Sequence, residues 1–204
     1  MKIIDGCRRA FEPFIRYSKL LKSYILLKIF PPSLSNLEIG SGATKRAGWL
    51  TLDLCNGSDI FWDLRLKLPF AQMSFEKVYC SHVLEHFSYN ELMFLLRNVH
   101  RILKPGGQFY ICVPDASLYI EAYLGKRDAG KMLQYKPAVS SSLPMDILNY
   151  IFYMDGLHKF MFDAENLGYH CKVAGFGQCT IRSFDSMLDQ EARDYESLYM
   201  LCIK

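Results

Sequence analysis

His82, Glu85 and His86 form an H-x-x-E-H pattern. On a helix this spacing puts two imidazoles one turn apart on one face, where they can hold zinc while the glutamate acts as base. Here His82 directly follows the apolar run ending near Cys80, and a capped helix begins only at Ser88. The five residues are therefore expected to span a strand-to-loop junction, and no metal site is predicted. A second constellation is Leu37-Glu38-Ile39-Gly40-Ser41-Gly42, followed by Trp49-Leu-Thr-Leu-Asp53. Paired glycines let backbone approach a nucleotide-like ligand, and an acid ending the next strand can accept from ribose hydroxyls. A dinucleotide-binding dehydrogenase would need a third glycine where Lys45 stands, and an acid about twenty residues on. Asp53 follows Gly42 by only eleven, which disfavours that reading.

These residues need elements to hold them. The segment from Ser88 to Leu103 reads as a helix, because Ser88 and Glu91 form a capping box and Leu92, Leu95, Leu96, Val99, Ile102 and Leu103 recur at helical spacing. Pro105-Gly106-Gly107 ends it and turns the chain into a strand at 108–113. Further strands are expected at 37–39, 49–52, 60–62, 77–80, 178–182 and 197–203, with a helix at 163–174. Only nine residues separate Ile39 from Trp49 and six separate Asp53 from Ile60. A parallel crossover normally takes a dozen or more, so the first two crossover helices should be vestigial or absent.

From Pro13, the spacing of Phe14, Tyr17, Leu21, Tyr24 and Ile25 marks one helical face, with Arg16, Lys19 and Lys22 opposite, until Pro31-Pro32 stops the helix. The apolar face is expected to pack on the domain and the basic face to be solvated. A lid over the substrate, or a basic amphipathic contact with an anionic membrane surface, are the alternatives. Residues 115–160 are aromatic-rich and unpatterned, among them Tyr119, Tyr123, Tyr135, Tyr150, Phe152 and Tyr153. They follow the carboxyl end of a strand, where ligands of open α/β sheets sit, so they suit either a substrate-covering insertion or a patch on the core.

With 204 residues, half of them apolar, the chain suits one α/β domain: a basic helical extension (1–36), a ligand-binding core (37–114), the insertion (115–160) and a C-terminal helix and strands (161–204). The net charge is +3, but residues 1–36 hold seven basic groups against two acids, which argues against a broad nucleic-acid face on the core. The longest stretch free of charged side chains is ten residues, too short to span a bilayer, and no export signal is visible. Seven cysteines without a CxxC pair read as reduced core thiols, pointing to the cytoplasm.

The run of Leu37–Gly42, Asp53, Asp63-Leu64, Leu68-Pro69-Phe70, Ser74–Tyr79, His82–His86 and Leu103–Gly107 resembles class I S-adenosyl-L-methionine-dependent methyltransferases, of the small bacterial type-11-like group. The resemblance covers roughly residues 37 to 114 and, loosely, the tail from about 160. It implies a Rossmann-like sandwich with a mostly parallel sheet and an antiparallel C-terminal hairpin, here with shortened first crossovers. It also implies S-adenosylmethionine as donor and a small-molecule or glycan-precursor acceptor. By resemblance, Glu38, Gly40, Ser41 and Gly42 surround the donor's amino-acid end, Asp53 holds the ribose, Asp63 and Leu64 bracket the adenine, and Ser81 and His82 lie beside the sulfonium. If the acceptor is a hydroxyl, a neutral histidine can take its proton; His158 is the first candidate and His82 the second, with Asp115 and Tyr119 on the acceptor side. A non-catalytic ligand-binding or partner-docking protein on the same fold is the rival reading.

Overall fold

The computed structural model describes residues 2–128, 132 and 143–204, with side chains from residue 16 onward. Tyr135 and its neighbours in the expected insertion lie outside the described residues. Strands β1 (Asn36–Ile39), β2 (Leu50–Asp53), β3 (Ile60–Phe61), β4 (Phe75–Ser81), β5 (Leu103–Pro114), β6 (Gln178–Ile181) and β7 (Ser197–Ile203) form one sheet in the order β3-β2-β1-β4-β5-β7-β6. The first five pair in parallel, and β7 runs antiparallel to both β5 and β6. Chain order reverses between β1 and β4, which makes the carboxyl ends of those strands the place for a ligand.

Helix α2 (Tyr89–Ile102) carries the expected apolar face: Leu92, Leu95, Leu96, Val99 and Ile102 are fully buried, and each contributes about 2 kcal/mol of apolar burial. Glu91 closes the capping box by accepting from the Ser88 N–H at 2.9 Å and from its hydroxyl at 2.7 Å. No helix connects β1 to β2 or β2 to β3, in line with the short connections. Strand β5 begins at Leu103, five residues earlier than expected. Leu103 pairs with Phe75 and a bulge follows, so the Pro-Gly-Gly segment lies within the strand rather than ahead of it.

The N-terminal helix departs from expectation twice. Helix α1 (Lys2–Ile29) starts well before Pro13 and turns two of its basic residues, Arg16 and Lys19, inward while Lys22 stays exposed. Arg16 pairs with Asp63, and Lys19 donates to Asn56 Oδ1 at 2.7 Å and sits 5.4 Å from the centre of the Phe61 ring. Leu20 and Leu27 pack against the core, whereas Tyr17, Leu21 and Ile25 are exposed. The inward face is set by fixed acidic and aromatic partners on the β2–β3 edge, and the small apolar contact beneath the helix leaves the rest of its hydrophobic side in water. Deleting residues 1–28 is expected to leave the sheet folded and cost about 1–2 kcal/mol, a lowering of Tm by a few degrees in thermal unfolding. Loss of cooperative unfolding would make this helix part of the core.

Helices α3 (Ala116–Tyr123) and α4 (Pro144–Tyr153) build a small second cluster from Tyr119, Ala122, Ile147, Tyr150 and Ile151. Helix α5 (Ala164–Val173) follows, capped by Asp163, which accepts from the Asn166 N–H at 2.8 Å. The six cysteines whose side chains are described are free thiols. Among the described residues, no helix is long and apolar enough to cross a membrane.

Candidate functional site

At the carboxyl ends of β1, β2 and β4 lies a cleft of about 410 Å³, lined by Gly40, Gly42, Asp53, Leu54, Trp62, Asp63, Leu64, Arg65, His82, Val83, His86 and Phe87. A larger cavity of about 900 Å³ under α1, bordered by Tyr24, Lys67 and Phe75, sits at the amino end of β4, away from the switch point.

The cleft is cradled by the turn after β1. Gly40 and Gly42 both have left-handed backbone, with φ of +70° and +59°. Gly40 N–H donates to the Leu52 carbonyl at 2.8 Å and Gly42 N–H donates to Asp53 Oδ2 at 2.9 Å, so the acid that ends β2 also fixes the loop. A Cβ on Gly42 would meet no atom within 4 Å, leaving backbone bare to the cleft. Asp63 accepts from the Arg65 Nε and Nη2 at 3.0 Å each, and from Arg16 of α1. Burial works against its charge, but the Arg65 bonds outweigh it and hold the carboxyl below its ordinary pKa. Trp62 places a buried, unpartnered Nε1–H in the same wall.

Six of the nine expected donor residues therefore meet in the cleft: Gly40, Gly42, Asp53, Asp63, Leu64 and His82. Three do not. Glu38 is buried and neutralised by Arg46 at 3.1 Å, whose guanidinium also donates to the Met187 and Leu188 carbonyls at 2.6 Å each. Ser41 is buried within the loop, and Ser81, the last residue of β4, does not line the cleft. Alternation along a strand turns neighbours to opposite faces, which the motif by itself does not reveal.

The acceptor-side candidates are engaged in other contacts. Asp115 caps α3, accepting from the Ser117 N–H at 2.9 Å, and is absent from the cleft lining. Tyr119 is fully buried and donates to Glu196 Oε2 at 2.5 Å, a core contact. His82 has a positive φ of +51° and both ring nitrogens engaged. The Arg193 guanidinium can only donate, so Nδ1 accepts from it at 3.0 Å. The Nε2–H then donates to Ser197 Oγ at 3.0 Å, whose hydroxyl donates to the Arg193 carbonyl at 2.7 Å. Burial and the neighbouring Arg193 charge push its pKa down to about 3, so His82 is a fixed neutral strut rather than a base.

His158 is buried, with Nδ1 2.6 Å from the Ile151 carbonyl. Burial lowers its pKa. It lies behind His86, which was not singled out for this role although it belongs to the H-x-x-E-H run. The signal for it is that run itself, since the short turn at Leu84–His86 points successive side chains in different directions. Leu54, Trp62, Arg65, Val83 and Phe87 were also missed; apart from adjacency to Asp53, Asp63 and His82, nothing in the sequence distinguishes them.

Residues 61–111 match the Methyltransferase domain family, Methyltransf_11. An uncharacterised protein of Saccharomyces cerevisiae is 38% identical over 71 residues, covering 33% of this chain; the chain spans only 8% of that curated relative's length. Among solved structures, a SAM-dependent methyltransferase of Archaeoglobus fulgidus aligns with a TM-score of 0.52 at 16% identity, covering 91% of this chain and 94% of that one. A methyltransferase of Thermotoga maritima aligns at 0.52 and 15%, covering 100% and 97%. One of Mesorhizobium loti aligns at 0.51 and 18%, covering 88% and 96%. At these identities the likeness is one of fold.

Proposed function

We propose, from the premise that this chain is a class I methyltransferase-fold protein of the type-11 group in its matched segment, that it transfers a methyl group from S-adenosyl-L-methionine to a small-molecule or glycan-linked acceptor. The observation that carries this reading is the cradle at the switch point, where the bare backbone of Gly42 opens beside the Asp53 carboxylate. The residues fit the donor: Gly40 and Gly42 would lie along its amino-acid end, Asp53 would take the ribose hydroxyls, and Leu64, Trp62 and Asp63 would bracket the adenine. When bound, the sulfonium supplies an electrophilic methyl group.

The protein's own part is positional. The glycine turn and the Asp63–Arg65 pair are held rigidly by fixed bonds, so a bound donor keeps one orientation relative to the acceptor, which is where much of the rate of such displacements originates. The end of the 115–160 segment covers the acceptor side: the Lys159 and Phe160 N–H groups both donate to the Glu85 carbonyl, at 2.8 and 3.1 Å, next to cleft-lining His86. Glu85, His86 and His158 are the polar groups set beside the cleft on this side, whereas His82 is tied to Arg193 and Ser197. The exposed apolar side of α1, with Lys22 and Lys28 on that helix, suits peripheral contact with an anionic membrane. A cytoplasmic protein fits the free thiols.

Calorimetric titration with S-adenosylmethionine, S-adenosylhomocysteine and NAD tests the donor. One-site micromolar binding of the first two and none of NAD is expected. No binding by folded protein would favour the non-catalytic reading.

A further inference from the structure

Beside the donor cleft, one ligand atom each from Glu85, His86 and His158 lies within 4.8 Å of the others. His86 Nδ1 sits 3.0 Å from the Leu157 carbonyl and His158 Nδ1 2.6 Å from the Ile151 carbonyl. A carbonyl only accepts, so both Nδ1 atoms carry the proton and both Nε2 atoms keep a lone pair. His86 Nε2 is 3.9 Å from Glu85 Oε1, and the two imidazole rings cross at 68° with centroids 4.9 Å apart. Glu85 is 1% exposed and its Oε2 has no hydrogen-bond partner. Two Nε2 lone pairs thus converge on a buried carboxylate whose Oε2 is unpartnered, with the Arg193 charge nearby but bonded to His82, and the unmet oxygen costs free energy unless a proton or a cation satisfies it.

The frame around this gap is built. Nδ1–H bonds to carbonyls are how ligating histidines are oriented, and the irregular segment bearing His158 is pinned to the backbone of Glu85 by the Lys159 and Phe160 N–H groups. His82 is excluded from the set, because its Nδ1 receives Arg193, and His158, 72 residues beyond His86, takes the place that the H-x-x-E-H pattern would give it. We propose that Glu85, His86 and His158 form a binding site for a divalent transition-metal ion of the zinc class, with one coordination position open to the cleft. Two imidazoles and a carboxylate suit that class. Ligand atoms around zinc stand about 3.4 Å apart, so closure needs shifts of an ångström or so from the present spacing. Glu85 and His158 are buried whereas the His86 side chain is 39% exposed and lines the cleft, so water or an acceptor oxygen completes the shell from that side. Use of the ion to hold an acceptor rests on the methyl-transfer reading; its binding does not.

Chelator-stripped full-length protein titrated with Zn²⁺ by calorimetry, and with Co²⁺ by absorption, with and without S-adenosylhomocysteine, tests the site. One Zn²⁺ per chain is expected, at least tenfold weaker in Glu85→Gln, His86→Ala and His158→Asn, and the Co²⁺ spectrum should lack thiolate charge transfer. The half-exposed His86 keeps the test decisive if a buried variant unfolds. Cys171, Cys179 and Cys202, whose sulfurs also cluster within 4.8 Å, are the competing site. A thiolate band, binding undiminished in His86→Ala, or no Zn²⁺ uptake by folded wild-type protein would overturn the proposal. Zn²⁺ uptake without S-adenosylhomocysteine binding would leave the cation site standing and remove the methyl-transfer reading instead.

Discussion

Gly42→Val is expected to weaken donor binding at least 100-fold while the protein stays folded. The residue lines the cleft with φ +59°, and a Cβ there meets no protein atom within 4 Å. The isopropyl group therefore enters the volume the donor needs, and the backbone penalty is the about 1–2 kcal/mol of a left-handed L-residue, somewhat more for a β-branched one. Gly40 makes the contrast. A Cβ there would stand 2.1 Å from Val83 Cγ2, on a backbone with φ +70°, so Gly40→Val should damage the fold itself and cannot isolate donor binding. Calorimetry with S-adenosylhomocysteine, with Tm measured alongside, separates the two. Affinity within threefold of wild type in folded Gly42→Val would remove the glycine turn from the donor site.

Asp189→Ala should be the most damaging single truncation outside the apolar core, costing about 3–5 kcal/mol. The Asp189 side chain is fully buried and accepts from Arg182 Nη1 and Nη2 at 2.5 and 2.8 Å, from the Asp185 N–H at 2.8 Å and from the Tyr79 hydroxyl at 3.2 Å. Removing it leaves a guanidinium whose side chain is 13% exposed without its counter-charge, stacked between the rings of Tyr110 and Tyr199. Asp189→Leu with Arg182→Met should recover most of the loss, because the apolar pair carries no charge to desolvate. Denaturant unfolding of the two singles and the double reads the coupling; a cost under about 1 kcal/mol for Asp189→Ala would mean that water reaches Arg182 freely. The neighbouring Met187 and Leu188 carbonyls hold Arg46, which neutralises Glu38 under the glycine turn, so this loop also supports the floor of the cleft.

Wherever the information was local, the residues carried it. The Ser88 capping box and the apolar stripe of α2, the helix at 163–174, the paired glycines, and crossovers too short for helices are all properties of a few consecutive side chains. They lead to the mostly parallel sheet with its antiparallel end, and to a cleft lined by Gly40, Gly42, Asp53, Asp63, Leu64 and His82. Where partners are distant in the chain, spacing was silent. Glu38 is taken by Arg46, Tyr119 by Glu196, and His82 by Arg193 and Ser197. The inward face of α1 was decided by Asp63 and Asn56, residues that no periodicity within the helix could register. The convergence of His158 on Glu85 and His86 is likewise tertiary, since it depends on backbone bonds between segments more than seventy residues apart. Sequence by itself determined the fold and which residues meet at the cleft after β1 and β2, because both are written in short-range patterns; only the folded chain decided which polar groups are spent on one another and which remain for chemistry.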